Sequence, residues 1–287
     1  MDKVAVVTDT TASIPEDLLS ALKIHTVPYY IHRGEEVLLD LVTITREAFY
    51  RWMSSADELP KTACPGPGDY LSKYKELIQH GMRDIVSIHM TSEGSGAYQS
   101  ALDAKGIMEQ EEPDINIEVV DTRNVAMAHG WIVIEAARTA LAGANLAAVK
   151  EKIDKMVPVT RMIQTADTLK YLYMGGRIGK ATHLFGSLLR IKPLISMEDG
   201  IIVSVGQARN RSQAYRKIVE IITNTVGSGK KIKIAYLHAA AQPDAQQIKK
   251  LVEEKMQVVE SFFAELSPAL GVHTGPGTAG VCYFPVE

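Results

Sequence analysis

Apolar runs that stop at small polar turns and give way to helical spacing recur through the first half of this chain. That alternation is the strongest constraint on its fold. The clearest instance is DIVSIHMTSEGSGAYQSA, residues 84–101. Ile85, Val86 and Ile88 form a run short and apolar enough for a buried strand, and Thr91 to Gly96 are small and polar. Ala97-Tyr98-Gln99-Ser100-Ala101 then reads as the first turns of a helix. Residues 3–8, ending at Asp9-Thr10-Thr11, and residues 115–120, ending at Asp121-Thr122, repeat the strand part, and residues 24–31 read as one more strand. Helical patterns cover residues 16–22, 46–53, 69–80, 126–142 and 146–156. Ser13 and Glu16 make a capping box with Pro15 between them, and Thr45 can cap the helix at 46–53. Apolar strands alternating with helices predict a parallel sheet covered on both faces and joined by right-handed crossovers. Between Leu59 and Gly68, Pro60, Pro65, Pro67, Gly66 and Gly68 predict an extended, turned loop without regular structure.

Beyond about Val157 the pattern changes. Residues 157–164 read as a strand, 168–173 as a short helix stopping at Gly175-Gly176, and 180–189 as a helix with an apolar stripe of Leu184, Phe185, Leu188 and Leu189. Glu198-Asp199-Gly200 sits between two strand patterns as a hairpin signal. A helix at 211–223, a strand at 233–237, a helix at 244–255 and a last strand at 281–285 complete the reading. The expectation is α/β with two domains. Residues 1–157 form a parallel α/β domain and residues 158–287 an α+β domain with a mixed or antiparallel sheet.

With 31 basic and 34 acidic residues the net charge is 31 − 34 = −3, and no Lys/Arg run stands out, which argues against a nucleic-acid binder. Hydrophobic content of 46% with 23% charged residues fits a soluble protein. The opening MDKVAVVTDT lacks a basic segment followed by an apolar one, and the apolar stretch 130–149 carries Glu135 and Arg138, as a core helix does. Cys64 and Cys282, the two cysteines, lie far apart, so a reduced cytoplasmic setting is expected; no Cys/His cluster has metal-site spacing.

Ser95 stands where a strand-to-helix loop presents unpaired N–H groups and a partial positive charge, a place suited to a carboxylate or phosphate. Taken singly, Ser95 reads as a helix cap, His273 in GVHTGPG as a structural histidine between a strand end and a glycine turn, and Arg177 as a solvent-facing helix-end cation. GPGTAG, residues 275–280, matches G-x-G-x-x-G in letters, but a strand follows it where a helix is required. Gly179-Lys180 lacks a P-loop's following hydroxyl residue, and Gly94-Ser95-Gly96 lacks a nucleophile elbow's outer glycines.

In combination, VAVVTDTTASIPEDL, KTACPGPGDY, MTSEGSGAYQSA, VVDTRNVAMAHG, LKYLYMGGRIGKA, LLRIKPLI and GVHTGPGTAGV resemble the DegV family, in order and over essentially the whole chain. The resemblance implies a two-domain protein that holds a fatty acid between its domains. It also implies a binding subunit of bacterial fatty acid kinase, which carries the acid to a separate ATP-using kinase subunit for acyl-phosphate formation and phospholipid synthesis. Carried over by position, Thr62 and Ser95 hydrogen-bond the carboxylate, and His273 and Arg177 complete the polar network around it. No cofactor or metal is implied beyond the bound long-chain fatty acid, and transient membrane contact is a further expectation. The chain departs from the family pattern at Ala63 and Cys64, where Ser-Gln is common, at Gly94, where a larger apolar residue is common, and at Ala97, where Thr is common. Gly94 removes bulk beside the site. The stripe at Leu184, Phe185, Leu188 and Leu189 and the helix at 131–136 are candidate walls for an acyl tunnel. Two other classes compete: a Ser95/His273 acyl hydrolase, without an Asp placed to orient His273, and a phospho-ligand module resting on the glycine loops.

Overall fold

The computed structural model describes residues 4–56, 58–187 and 191–286, with backbone alone at 185–187. Four strands, β1 (Val4–Asp9), β2 (Ile24–Val27), β6 (Asp84–His89) and β7 (Asn116–Asp121), form an all-parallel sheet in the order β2-β1-β6-β7. β1 is buried along its whole length, which is why it reads as an unbroken apolar run rather than an alternating one. Three short strands, β3 (Tyr30–Arg33), β4 (Glu36–Leu39) and β5 (Lys61–Ala63), make a small antiparallel sheet in the order β4-β3-β5. The rest of the sheet structure is one six-stranded mixed sheet. It takes β8 (Arg161–Thr165), β9 (Lys192–Glu198), β10 (Ile201–Ala208), β11 (Lys231–His238), β12 (Gln257–Glu265) and β13 (Ala279–Pro285) in the order β10-β9-β8-β13-β11-β12. Only β11 and β12 run parallel in it. The α/β class with a parallel first sheet and a mixed second one is therefore as expected.

The helices are α1 (Glu16–Ala21), α2 (Arg46–Met53), α3 (Pro67–Gln79), α4 (Ala97–Glu111), α5 (Ala126–Leu141), α6 (Leu146–Met156), α7 (Lys170–Met174), α8 (Arg211–Val226), α9 (Gln242–Glu253) and α10 (Pro268–Thr274). α5 lies between the two large sheets, packed on β1 from one side and on β8 and β13 from the other. Residues 126–137 are all buried. Trp131 stacks against Phe262 and Phe284 at 4.9 and 5.4 Å between ring centroids and donates its indole N–H to the Cys282 carbonyl at 3.0 Å. The helix is core packing from Ala126 to Ala137 and emerges only in its last turn. Among the described residues no helix is long and apolar enough to cross a membrane.

Several local expectations give way to tertiary structure. Residues 24–31 form two strands in different sheets, because Pro28 has no N–H for a ladder and ends the first of them. Ser13 does not cap α1. It adopts a left-handed conformation (φ 53°), and its hydroxyl accepts the Ser267 N–H at 3.0 Å from the far end of the chain. The proline-rich stretch is more regular than expected: Thr62 lies on β5, and Pro67 opens α3, where Asp69 accepts the Gly66 N–H at 2.8 Å. β8 begins only at Arg161, because Thr160 folds back to the Met156 carbonyl at the end of α6. Gly179–Ser187 is a 3-10 helix rather than an α-helix. His273 belongs to the last turn of α10, not to a strand end, and β12 and α10 went unread in the sequence. The glycines of 275–280 lie between α10 and β13, the reverse of the order a dinucleotide site needs.

Candidate ligand site between the two sheets

A cavity of about 480 Å³ lies where the carboxyl end of the parallel sheet meets α10 and the β9–β10 hairpin. This is within the size range of small-molecule sites, roughly 300–1,000 Å³. The loop after β6 forms one wall. The Thr91 N–H donates to the Asn124 carbonyl at 2.9 Å, and the Ser92 hydroxyl donates to Asp121 at 2.6 Å. These bonds tie the loop to the neighbouring end of β7. The opposite wall is the hairpin tip, where Asp199 and Gly200 both take positive φ as the expected tight turn requires. The Thr91 hydroxyl donates to the Gly200 carbonyl at 2.8 Å, and Arg123 donates to the Asp199 carbonyl at 2.7 Å.

Thr62 and His273 meet across 211 residues of chain, with 2.8 Å between Oγ1 and Nε2. β5 presents Thr62 as the partner of Ile31 on β3, and α10 brings the imidazole in from the second half. Burial and the nearby Arg177 charge push His273 down to about 4, so the ring is neutral at physiological pH. With Thr62 on Nε2, its buried Nδ1 has no hydrogen-bond partner. Ser95 is not the N-cap of α4, which is Gly96, but from one residue earlier it accepts the Ala97 N–H at 3.2 Å, and its hydroxyl also lies 2.6 Å from the Tyr29 hydroxyl. Arg177 lines the same cavity but is exposed, and its guanidinium donates to the Gly175 carbonyl at 2.7 Å rather than to Thr62, Ser95 or His273. The geometry thus brings together Thr62 with His273, and Ser95 with Tyr29, and leaves Arg177 at the rim.

Tyr29 went unnoticed in the sequence. An aromatic beside Pro28 at a strand end reads as core, and only the loop after β6 makes it polar in function. Burial, reinforced by the Asp9 charge, raises the phenol well above its usual range, so it remains protonated. Thr11 also lines the cavity. Its backbone N–H donates to Asp9 at 3.0 Å, and its hydroxyl donates to the same carboxylate. Burial alone would raise the Asp9 carboxyl, but hydrogen bonds from His89 and Thr11, with the neighbouring histidine charges, hold it below the usual range. Asp9 is therefore a fixed anion that pins the turn after β1, with His89 at 3.2 Å as its partner.

The apolar walls come from Met90, Val125, Leu172, Met197, Ile202 and Leu270. They are not the walls expected from the sequence. Residues 131–136 are sealed inside the core, and Leu184 is not itself a wall but packs behind one, in a cluster with Leu169, Leu172, Ile178 and Ile195 of which Leu172 lines the cavity. The Phe185 side chain and Leu188 and Leu189 lie outside the described residues. The room left by Gly94 is partly filled, since a Cβ there would stand 3.5 Å from Met90 Cε and 3.3 Å from Thr91 Cγ2. Cys64 stands at the same wall, its Sγ 3.3 Å from where a Gly96 Cβ would be. Among the described residues no three His, Cys, Asp or Glu side chains gather as metal ligands. A nucleophile–base pair is not assembled either, because His273 is bonded to Thr62, not Ser95.

The profile of the DegV family, described as uncharacterised proteins, matches residues 3–286. A DegV domain-containing protein of Clostridium acetobutylicum is 34% identical over 285 residues, 99% of either chain. Among solved structures, a DegV family protein of Thermus thermophilus described as binding fatty acid superimposes with a TM-score of 0.91 at 27% identity, covering 99% of this chain and 100% of that one. DegV of Bacillus subtilis, described as a fatty-acid-binding protein, superimposes with a TM-score of 0.89 at 27% identity and 100% coverage of both chains.

Proposed function

The chain belongs to the DegV family, and we propose that it binds a long-chain fatty acid and presents it to the catalytic subunit of a fatty acid kinase. In this reading residues 1–157 and 158–287 are the two domains, and α10 reaches from the second to complete a site on the first. The observation that carries the reading is one arrangement. Two hydroxyls, Thr62 and Ser95, each backed by a ring that is uncharged at neutral pH, stand in a cavity whose other walls are mostly apolar. Hydroxyl donors at a helix start stabilise a carboxylate taken out of water, and Arg177 at the rim adds a cation near the head group. The apolar walls take the acyl chain.

The chain supplies no turnover by itself. Its partner brings ATP, the ligand's carboxylate oxygen attacks the γ-phosphorus, ADP leaves, and the acyl phosphate enters lipid synthesis. This work belongs in the cytoplasm, with transient membrane contact to load the acid. Denaturing mass spectrometry of the purified protein is expected to release an acid of roughly C14–C18, since burial stabilises by about 0.8 kcal/mol per CH₂. An empty protein that takes up no such acid on addition would sink the proposal. The kinase step is read separately, as ATP-dependent acyl-phosphate formation that requires both this chain and a kinase catalytic subunit.

A further inference from the structure

We propose that Tyr29 is a positioning residue that fixes Ser95 as a proton donor toward the ligand, and thereby selects an anionic, acceptor-only head group over a primary amide of the same chain length. The inference rests on the fatty-acid reading above and deepens it.

A serine hydroxyl has one proton to donate and two lone pairs that accept. In Ser95 one lone pair takes the Ala97 N–H at 3.2 Å. The Tyr29 phenol, only 5% exposed and 2.6 Å away, takes the second. By distance either hydroxyl could donate, but among the described residues Ser95 is the hydrogen-bond partner of the Tyr29 oxygen, and burial keeps the phenol protonated, so we assign the phenol proton to Ser95. With both lone pairs engaged, the only valence Ser95 has left is its proton. The donor chain Tyr29 O–H to Ser95 O–H to ligand oxygen is polarised in one direction, and consecutive hydrogen bonds of that kind strengthen one another. A carboxylate oxygen is the natural terminus. An amide's NH₂ finds no acceptor at Ser95 and is buried unpaired, which costs it free energy. Thr62 is backed in the same manner in the His273 tautomer that carries its proton on Nε2, 2.8 Å from the Thr62 hydroxyl, and the site then presents two hydroxyls whose directions are set from behind.

A purely structural phenol makes a different forecast. Its loss would lower stability and weaken every ligand alike. The test is therefore a ratio. Full-length protein, stripped of lipid, is titrated with palmitic acid and with palmitamide. The wild type is expected to prefer the acid. Tyr29→Phe is expected to narrow the acid-to-amide preference about tenfold or more, the range one hydrogen bond to a charged group spans. Most of the change should be a loss of acid affinity. Ser95→Ala should narrow it equally, and the double variant no further. If Tyr29→Phe does not melt cooperatively, Tyr29→Leu is read instead, and the Ser95→Ala ratio tests the same donor without touching the phenol. An unchanged ratio in a folded Tyr29 variant overturns the role given to Tyr29 while leaving fatty-acid binding intact. A wild type that binds neither compound overturns the underlying reading as well.

Discussion

At the scale of single residues, the consequential feature of the site is that His273 is neutral. Burial, helped by Arg177, depresses it to about 4 against an unfolded value of about 6.5. Between those values the unfolded chain holds more protons than the ligand-free folded one, so His273 lowers stability progressively as pH falls from about 6.5 to about 4. A carboxylate held by Thr62 reverses the local field, because a negative charge one hydroxyl away favours the imidazolium. The complex then holds more protons than the free protein, and binding tightens as pH falls. Palmitate affinity is expected to rise between about pH 7.5 and about pH 5.5 in the wild type, by linkage to that one proton. It should be flat over the same range in His273→Gln, which keeps an N–H donor but does not titrate. Isothermal titration in buffers of different ionisation enthalpy reads the proton uptake directly. Equal slopes in the two proteins would remove His273 from the account.

At the scale of elements, the position of that histidine depends on how closely α7 and α10 approach. A Cβ on Gly175, just past α7, would lie 2.4 Å from His273 Nδ1. A Cβ on Gly275, just past α10 at φ +75°, would lie 2.1 Å from the Tyr171 ring. The two helix ends interlock through the absence of two side chains. Gly175 has φ −76°, which alanine adopts without strain, so Gly175→Ala probes packing alone. Overpacking of this kind costs roughly 1–3 kcal/mol. The expected outcome is a folded protein with a modestly lower melting temperature and at least about tenfold weaker palmitate binding, because His273 leaves Thr62. Unchanged affinity would show that the contact is incidental. This interlock also marks where the sequence stops being legible. Patterns confined to one segment survived: the strand–loop–helix around Ser95, the Thr45 cap that accepts the Ala48 N–H at 3.2 Å, and the Asp199-Gly200 turn all form as read. Features settled by distant partners did not. Ser13 has the letters of a capping box, yet its hydroxyl serves Ser267, and Pro28 splits what periodicity joins into one strand. The same division runs through the site. Thr62, Ser95 and His273 could be singled out in the sequence because each stands in a short segment resembling the family's, and all three line the one cavity, whereas Tyr29 has no such segment and meets Ser95 only through the loop folded onto it.

At the scale of the whole molecule, α5 decides how the cavity can open. Its residues 126–137 are buried between both large sheets, and Trp131 bonds to the second while the helix packs on β1 of the first. Separating the halves would expose that helix, so the two sheets should unfold as one cooperative unit and the cavity cannot open by parting them. Access must come from the periphery, where far weaker contacts close the wall. The hairpin tip is held to the loop after β6 by the Thr91 hydroxyl on the Gly200 carbonyl and by Arg123 on the Asp199 carbonyl. The close fit leaves no room for a side chain at Gly200, where a Cβ would stand 2.5 Å from Thr91 Oγ1. Thr91→Val keeps the shape of the side chain and deletes one of the two bonds across the wall, together with the acceptor of the Glu93 N–H at 3.3 Å within the loop. The wall bond alone should contribute about 1 kcal/mol, the usual net value of one neutral hydrogen bond. The same free energy, lost only from the closed wall, should speed fatty-acid dissociation by about fivefold and leave the unfolding transition single. Stopped-flow release of a fluorescent fatty acid into excess unlabelled acid measures the first, and thermal melts followed by tryptophan emission and far-ultraviolet dichroism measure the second. An off-rate equal to wild type would mean that the hairpin is a wall and not a latch, and that ligand leaves by another side of the cavity. Two separate melting transitions would instead break the premise that α5 binds the two sheets into one unit.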